Sequence, residues 1–177
     1  MAKRENFRDY FADQIVTLRE FLGEKTNETG DVNASSHSLI RESQARHDKL
    51  QVLYAELDKV GAGMIVVNES GDSWALILPD ASEPGRFRYS GFRAIGWTTH
   101  YTCDTFDEVI LEAFQAGYTR VAASDTLDKL SVTTEWIKGC ERLAAIQAHQ
   151  GGELSWIEML AKFNEIEAKY AQQQLAA

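Results

Sequence analysis

The chain has 177 residues, of which 44% are hydrophobic and 25% are charged, and its formal net charge is −9. This length and composition are typical of a globular protein with one hydrophobic core, and they exclude disorder along the whole chain. Acidic residues are spread along the sequence, and a surface of this sign repels the nucleic-acid backbone, which disfavours DNA binding by the whole surface.

Two cysteines, Cys103 and Cys140, are present, and their spacing is neither a CxxC motif nor a disulfide framework. Both thiols are therefore expected to be reduced. The first residues lack the apolar run of a signal peptide, and no stretch approaches the roughly 18 apolar residues of a membrane span. The sequence predicts a cytoplasmic protein, of a bacterium or of the host of a bacteriophage, without a membrane partner.

The first 60 residues are predicted to form two helices. Apolar residues recur every three or four positions over 5–24, which predicts a first helix that ends at Gly23. A polar loop is expected over 25–38 and a second helix over 38–60. The first helix carries a wide apolar stripe that must be covered, either within the chain or by a second copy in a homodimer formed through the N-terminal helices. This stripe comprises Phe7, Tyr10, Phe11, Ile15, Leu18 and Phe21.

The middle of the chain, 61–123, is predicted to form a sheet with one helix. Two apolar runs, 64–67 and 73–78, flank turn residues and predict a hairpin. Period-two alternation over 86–89 predicts a further strand, and the aromatic-rich segment 92–101 predicts one or two more.

A capping box, Thr105-x-x-Glu108, is the clearest helix signal in the chain, because the two side chains can bond the free backbone N–H groups at a helix start. Gly117 is expected to end this helix in a left-handed conformation, and 118–122 is predicted to be a last short strand.

The final third, 124–177, is predicted to be helical. A helix over 132–149 is expected to end at Gly151-Gly152, with an inner face that includes Trp136 and Ile137. A second capping box, Ser155-x-x-Glu158, predicts the start of the last helix. Its inner stripe is expected to comprise Trp156, Met159, Leu160, Phe163, Ile166 and Tyr170, and the chain from Ala171 is expected to fray.

Together these elements predict an α+β fold in which 1–177 forms a single domain. An N-terminal helical arm (1–60) precedes a sheet with one helix (61–123) and the C-terminal helices (124–177). The sheet is expected to be mostly antiparallel, with four or five strands. The capping-box helix is expected on one face, and the N-terminal and C-terminal helical pairs in a second layer.

His100, Cys103 and Asp104 lie close together in sequence, and a Cys–His pair can form a thiol nucleophile. Residues three apart on a strand point to opposite faces, so structural roles are favoured for them. No His or Cys spacing typical of a metal site and no phosphate-binding loop occurs. Neither a metal nor a cofactor is expected, and a non-enzymatic role is favoured, although a catalytic site assembled from distant residues is not readable from a sequence.

The segment 86–101 is the strongest candidate for a binding site, because it gathers arginines and aromatic residues within an acidic chain. Alternation places Arg86 and Arg88 on one face and Phe87 and Tyr89 on the other. Such residues are enriched at protein-binding hot spots, and they also bind single-stranded nucleic acid. The third alternative is a strand pair whose arginines are paired with local carboxylates. The candidate binding residues are Arg86, Arg88, Arg93, Phe92, Trp97 and Tyr101.

The strand end Tyr101-Thr102-Cys103-Asp104-Thr105, the helix that follows and the closing Gly117-Tyr118 resemble small accessory domains of plasmids and phages. These include domains within the large polyvalent proteins that protect incoming DNA. The resemblance covers the middle third of the chain and implies a mobile-element accessory protein that acts by binding, for example as an inhibitor of a host defence. The first expectation is therefore a non-enzymatic protein that binds a host or element-encoded protein. The alternative is a nucleic-acid-associated factor that uses the arginine and aromatic strands.

Overall fold

The computed structural model describes residues 6–29 and 34–175. Within these residues, six helices, of which one is short, accompany five strands. In chain order the elements are α1 (Tyr10–Thr29), α2 (Ala34–Val60), β1 (Met64–Asn68), β2 (Trp74–Pro79), β3 (Phe87–Arg93), β4 (Gly96–Cys103), α3 (Phe106–Gln115), β5 (Tyr118–Val121), α4 (Thr126–Ser131), α5 (Thr134–Gln150) and α6 (Trp156–Leu175).

The strands form one antiparallel sheet in the order β4-β3-β2-β1-β5. Strands β1 to β4 are joined by short connections, and the side chain of Asn68 accepts the backbone N–H of Gly71 in the first turn at 2.9 Å. After α3 the chain returns to pair β5 with β1, so β4 and β5 are the two edges. The predicted α+β class is confirmed, and the mostly antiparallel sheet of four or five strands that the sequence predicts is a five-stranded, fully antiparallel sheet.

Helices cover both faces of the sheet. One face carries Met64, Val66 and Ile77, which pack in a single core with Leu53 of α2 and Phe114 of α3. Helices α1 and α2 thus share this core with the sheet. The opposite face packs on α4 and α5.

The predicted layer assignment was therefore wrong, because the N-terminal helices lie on the same face as α3 and only the C-terminal helices lie on the other. Alternation along the strands supplies apolar side chains to both faces, so each face needs its own cover.

Several predicted boundaries differ from the structure. Helix α1 runs through Gly23 to Thr29, so the predicted helix end at Gly23 and the start of the predicted loop were wrong. A glycine inside a helix costs only about 1 kcal/mol relative to alanine. Helix α2 begins at Ala34, and the predicted loop positions 30–33 lie outside the described residues. Of the one or two strands predicted over 92–101, one is present, β4, and it begins at Gly96. Helix α6 continues past Ala171 to Leu175.

Both capping boxes are confirmed. The Thr105 hydroxyl accepts the N–H of Glu108 at 3.1 Å, while the Glu108 carboxylate accepts the N–H of Asp104 at 2.9 Å. At α6, Ser155 and Glu158 exchange the reciprocal pair of bonds at 2.8 and 3.3 Å. Gly117 has a φ of 99°, which confirms the predicted left-handed helix end.

Part of the apolar stripe of α1 is covered within the chain. Phe11 and Ile15 are buried, whereas Phe21 is exposed. Intrachain packing therefore accounts for the centre of the stripe, and a homodimer through the N-terminal helices stays a prediction.

Arg8 ties the segment before α1 to two other helices. Its guanidinium donates to both carboxylate oxygens of Asp58 at 2.7 Å and to Asp107 at 2.9 and 3.0 Å. It also lies 4.5 Å from the ring centroid of Tyr54, whose hydroxyl donates to the Asp107 carbonyl at 2.7 Å. One side chain thus joins the N-terminal segment to α2 and α3.

Arg8→Met is expected to lower the free energy of unfolding by about 1–2 kcal/mol at pH 7, since the network is partly exposed and screened by solvent. The hydrogen bonds from Arg8 lower the pKa of Asp58. The pKa of Asp58 is lower in the folded than in the unfolded protein. The stabilisation by the Arg8–Asp58 pair is therefore complete at a pH above the unfolded pKa, and it is lost as the pH falls through the folded pKa. Urea unfolding should therefore show a wild-type-to-variant difference that narrows below about pH 4.

Lys59→Met is the matched control, because Lys59 forms an exposed ion pair with Glu56 within one helix. Its effect should stay within about 0.5 kcal/mol. An Arg8→Met difference that is the same at pH 7 and pH 3 would contradict the assigned role of the Asp58 pair.

Candidate functional site

Strands β2, β3 and β4 present three cross-strand rows on the sheet face opposite α3. Residues paired across antiparallel strands point to the same face, so each row is a line of neighbouring side chains. The rows change from aromatic to polar along the strands. They are Trp74–Phe92–Trp97, Leu76–Ser90–His100 and Leu78–Arg88–Thr102.

The first half of α5 seals the aromatic row. The Trp136 ring lies edge-on to Phe92 and Trp97, with centroid distances of 5.7 and 5.5 Å. Helix and hairpin approach closely where Gly139 faces Ile95, because a Cβ on Gly139 would lie 1.6 Å from the Ile95 carbonyl oxygen. The absence of a side chain at Gly139 therefore sets how closely α5 sits on the sheet.

Beyond this contact a cleft of about 480 Å³ lies between the sheet and the second half of α5. We call it the α5 cleft. Leu76 and Leu78 of β2 and Leu143 of α5 form apolar walls. The polar atoms come from Arg88, Ser90 and His100 of the sheet and from Cys140 and Gln147 of the helix. The cleft thus combines a cation and several hydrogen-bonding groups with apolar walls, as small-molecule sites do.

Arg88 is the charged group of the α5 cleft. The side chain is half-buried, and its Nε atom is shielded from solvent without a hydrogen-bond partner. Within the described residues, no carboxylate is in ion-pair contact with it. The nearby Asp80 has its oxygens occupied by the Thr102 hydroxyl at 2.8 Å and by backbone N–H groups of the following loop. These bonds, the Thr102 bond foremost, lower the pKa of Asp80, and the charge of Arg88 adds to them.

His100 and Ser90 form a hydrogen-bonded pair, with 2.8 Å between Nδ1 and Oγ. In nucleophilic catalysis, a histidine next to a serine can act as the base that activates the serine hydroxyl. Here the serine is only 2% exposed, so its hydroxyl is not presented to a substrate. The pair instead orients the His100 ring, which is exposed at the cleft.

The cysteines do not supply a nucleophile. Cys103 belongs to the core on the α3 face, and His100 lies on the opposite face, as its spacing predicts. Burial raises the pKa of Cys103 to about 12, and burial also raises the pKa of Cys140. Both thiols are therefore protonated at neutral pH and weakly reactive.

The three predicted arginines lie in different environments. Arg86 forms ion pairs with Glu83 and Asp104, so its charge is largely balanced within the chain. Arg88 lies in the α5 cleft, and Arg93 is exposed at the end of β3. The structure therefore does not gather these arginines into one patch.

The three predicted aromatic residues are also separated. Phe92 is 0% exposed, so a partner cannot touch it directly. Trp97 is half-buried and borders the α5 cleft, which Arg88 also lines. Tyr101 is exposed on the opposite face and stacks on Tyr89 at 5.8 Å. Arg88 and Trp97 thus line the same cleft, Tyr101 does not, and the binding role of all six residues stays a prediction.

Sequence reasoning missed a second surface, at the start of α6. Trp156, Ile157 and Leu160 are 59%, 78% and 41% exposed. Trp156 and Leu160 were predicted to face inward, which was wrong, because α6 packs on α5 through a narrower stripe that includes Met159 and Ile166. Ile137 of α5 is likewise exposed rather than inward-facing. The spacing of apolar residues along a helix does not reveal which of them stay exposed.

Among the residues that the structure describes, no three His, Cys, Asp or Glu side chains are grouped to hold a metal ion. Within the same residues, no helix is both long and apolar enough to cross a membrane. A comparison of the chain with protein-family models, with curated proteins and with solved structures gave no match in any of the three.

Proposed function

We propose that the protein acts by binding another protein, and that the exposed turn at the start of α6 is part of the contact surface. The observation that carries the proposal is the exposure of Trp156, Ile157 and Leu160 within one helical turn. Large apolar side chains that are exposed side by side are costly in water and commonly mark interaction sites. Tryptophan is also among the residues most enriched at binding hot spots.

This turn is held in a defined conformation. The Ser155 and Glu158 capping box begins the helix, and the Trp156 ring lies edge-on to His149 with a centroid distance of 5.8 Å. A partner would therefore meet an ordered apolar surface and would incur little ordering entropy there.

The proposed partner is a host or element-encoded protein, as the resemblance to mobile-element accessory domains implies, and inhibition of a host defence is the proposed role. A cytoplasmic location belongs to the same proposal. The nucleic-acid alternative has weaker support, because Arg88 and Tyr101 lie on opposite faces of the sheet and the net charge is −9.

Ile157→Asp is expected to abolish partner binding without unfolding the protein, because it places a charge at a residue that is 78% exposed in the free chain. Tagged wild-type and variant proteins would be used to capture partners from bacterial lysate, with and without nuclease, and read by quantitative mass spectrometry. A stoichiometric protein that survives nuclease and is depleted at least tenfold by Ile157→Asp is the expected result.

Val132→Asp is the matched control, since Val132 is also exposed and lies away from the α6 turn. Thermal melts of both variants should match the wild type. Capture that depends on nucleic acid, or that is equal in the wild type and Ile157→Asp, would contradict the proposal.

A further inference from the structure

We propose that the α5 cleft binds a small carboxylic acid with an apolar body, with Arg88 as the charge partner of the carboxylate. This site and its ligand are independent of the protein-binding surface on α6.

Arg88 stands apart from the other basic side chains around it. Arg86 and the basic side chains along the C-terminal helices form ion pairs with carboxylates. The helix residues are Lys129, Lys138, Arg142, Lys162 and Lys169. Within the described residues, Arg93 and Arg120 of the sheet also lack a carboxylate in ion-pair contact, but neither of them lines the cleft. Arg88 is half-buried beside leucines, and its Nε is shielded from water without an acceptor. The Arg88 guanidinium has no carboxylate in ion-pair contact within the described residues, and an anionic ligand in the cleft would supply that partner.

The charge balance of the cleft favours a monoanion. Arg88 is one cation, and the carboxylate of Asp80 is close enough for the two charges to interact. A phosphate dianion would meet repulsion from Asp80 with only one guanidinium to offset it. A carboxylate matches the planar fork of a single arginine and carries one charge.

The walls of the cleft set the rest of the ligand. Leu76, Leu78 and Leu143 offer apolar surface, and the Trp97 ring closes the end that faces the aromatic row. The volume of about 480 Å³ falls within the range of about 300–1,000 Å³ that is usual for small-molecule sites. A short aliphatic or aromatic body can therefore be buried while its carboxylate faces Arg88.

His100 and Gln147 add specificity at the opening. The Nδ1 atom of His100 is held by Ser90, which leaves its other ring nitrogen to contact a ligand. Gln147 is exposed on α5 across the cleft from the sheet. These groups can bond the second carboxylate oxygen or a polar substituent on the body.

Octanoate is the probe for this site, titrated into the ¹⁵N-labelled full-length protein and followed by NMR. Saturable shifts are expected at the Trp97 indole N–H, the Gln147 side-chain amide and the Arg88 Nε–H. Acetate lacks the body, and octanol lacks the charge, so each should bind at least tenfold more weakly. Octyl phosphate tests the charge limit and should also bind more weakly than octanoate.

Arg88→Met removes the charge and keeps the apolar stem, so it should weaken octanoate binding at least tenfold. Arg88→Lys keeps the charge and should bind with an intermediate affinity. Arg93→Met is the matched control, because Arg93 is exposed at the end of the same strand outside the cleft, and its octanoate affinity should equal that of the wild type. Thermal melts establish that each variant is folded.

Several results would overturn the proposal. Octanol binding as tight as octanoate binding, or unchanged affinity in Arg88→Met, would remove Arg88 from the site. Tighter binding of octyl phosphate would overturn the assignment to a carboxylate. Shifts confined to the apolar turn at Trp156 would show adsorption at that surface instead of binding in the cleft.

Discussion

Gly139→Ala is expected to destabilise the protein by about 3 kcal/mol, although alanine is the better helix former by about 1 kcal/mol. A Cβ at this position would lie 1.6 Å from the carbonyl oxygen and 2.5 Å from the carbonyl carbon of Ile95. Both obstructing atoms are backbone, so no side-chain rotation relieves the overlap. Either α5 or the β3–β4 hairpin has to move, and Trp136 then loses its contacts with Phe92 and Trp97.

The change would be measured by urea unfolding, followed by circular dichroism and by tryptophan fluorescence. Gly151→Ala is the control, because Gly151 ends the same helix with a φ of −75°, which alanine adopts, and a Cβ there would lie 3.3 Å from its nearest neighbour, the Gln147 carbonyl oxygen. Its effect should stay within about 0.5 kcal/mol. A Gly139→Ala variant as stable as the wild type would mean that α5 does not rest on the backbone of Ile95.

Phe92→Ala is expected to lower the free energy of unfolding by about 3–5 kcal/mol. The ring is fully buried and lies among three indoles, with centroid distances of 5.9 Å to Trp74, 5.4 Å to Trp97 and 5.7 Å to Trp136. Its removal leaves a cavity whose large, rigid neighbours can collapse only partially. Chemical unfolding and near-ultraviolet circular dichroism, which reports on the packing of the indoles, would measure the effect.

Tyr101→Ala is the comparison for Phe92→Ala. Tyr101 is an exposed aromatic residue of the neighbouring strand and stacks on Tyr89 on the other face. Its loss should cost about 1 kcal/mol or less. A Phe92→Ala effect no larger than that of Tyr101→Ala would refute the placement of Phe92 in a sealed aromatic core.

A binding experiment has to separate variants that damage the core from variants that remove a contact. Loss of a partner in Phe92→Ala would report damage to the core, because the ring has no surface to offer. Trp97 and Arg88 border the α5 cleft and can be probed directly, while Ile157 probes the α6 turn. A variant series that includes all four positions separates loss of fold from loss of contact.

The candidate site could be predicted only in part. Arg88 and Trp97 stand out in the sequence as an arginine and a large aromatic residue on neighbouring strands. The pairing of His100 with Ser90 follows from the β3–β4 register, which two-residue periodicity alone does not set. Cys140, Leu143 and Gln147 lie at least 40 positions after His100 in the chain. No local pattern connects them with the sheet.

By itself the sequence determined the features that depend on bonds between near neighbours. The Thr105 and Glu108 cap, the Ser155 and Glu158 cap, the left-handed Gly117 and the first hairpin all arise within a few residues, where short-range hydrogen bonds and steric limits decide the conformation. Only the tertiary structure decided which sheet face each helical pair covers. The reason is that both faces carry apolar side chains, and the choice between them is made by long-range packing.

The same division holds within one face of the sheet. Alternation assigns Phe92 and Arg88 to the same side of β3, yet one is sealed and the other borders an open cleft. The difference arises from where α5 rests, and that depends on a backbone contact between Gly139 and Ile95 from separate elements. Local sequence determines which way a side chain points, and packing between distant elements determines what it meets there.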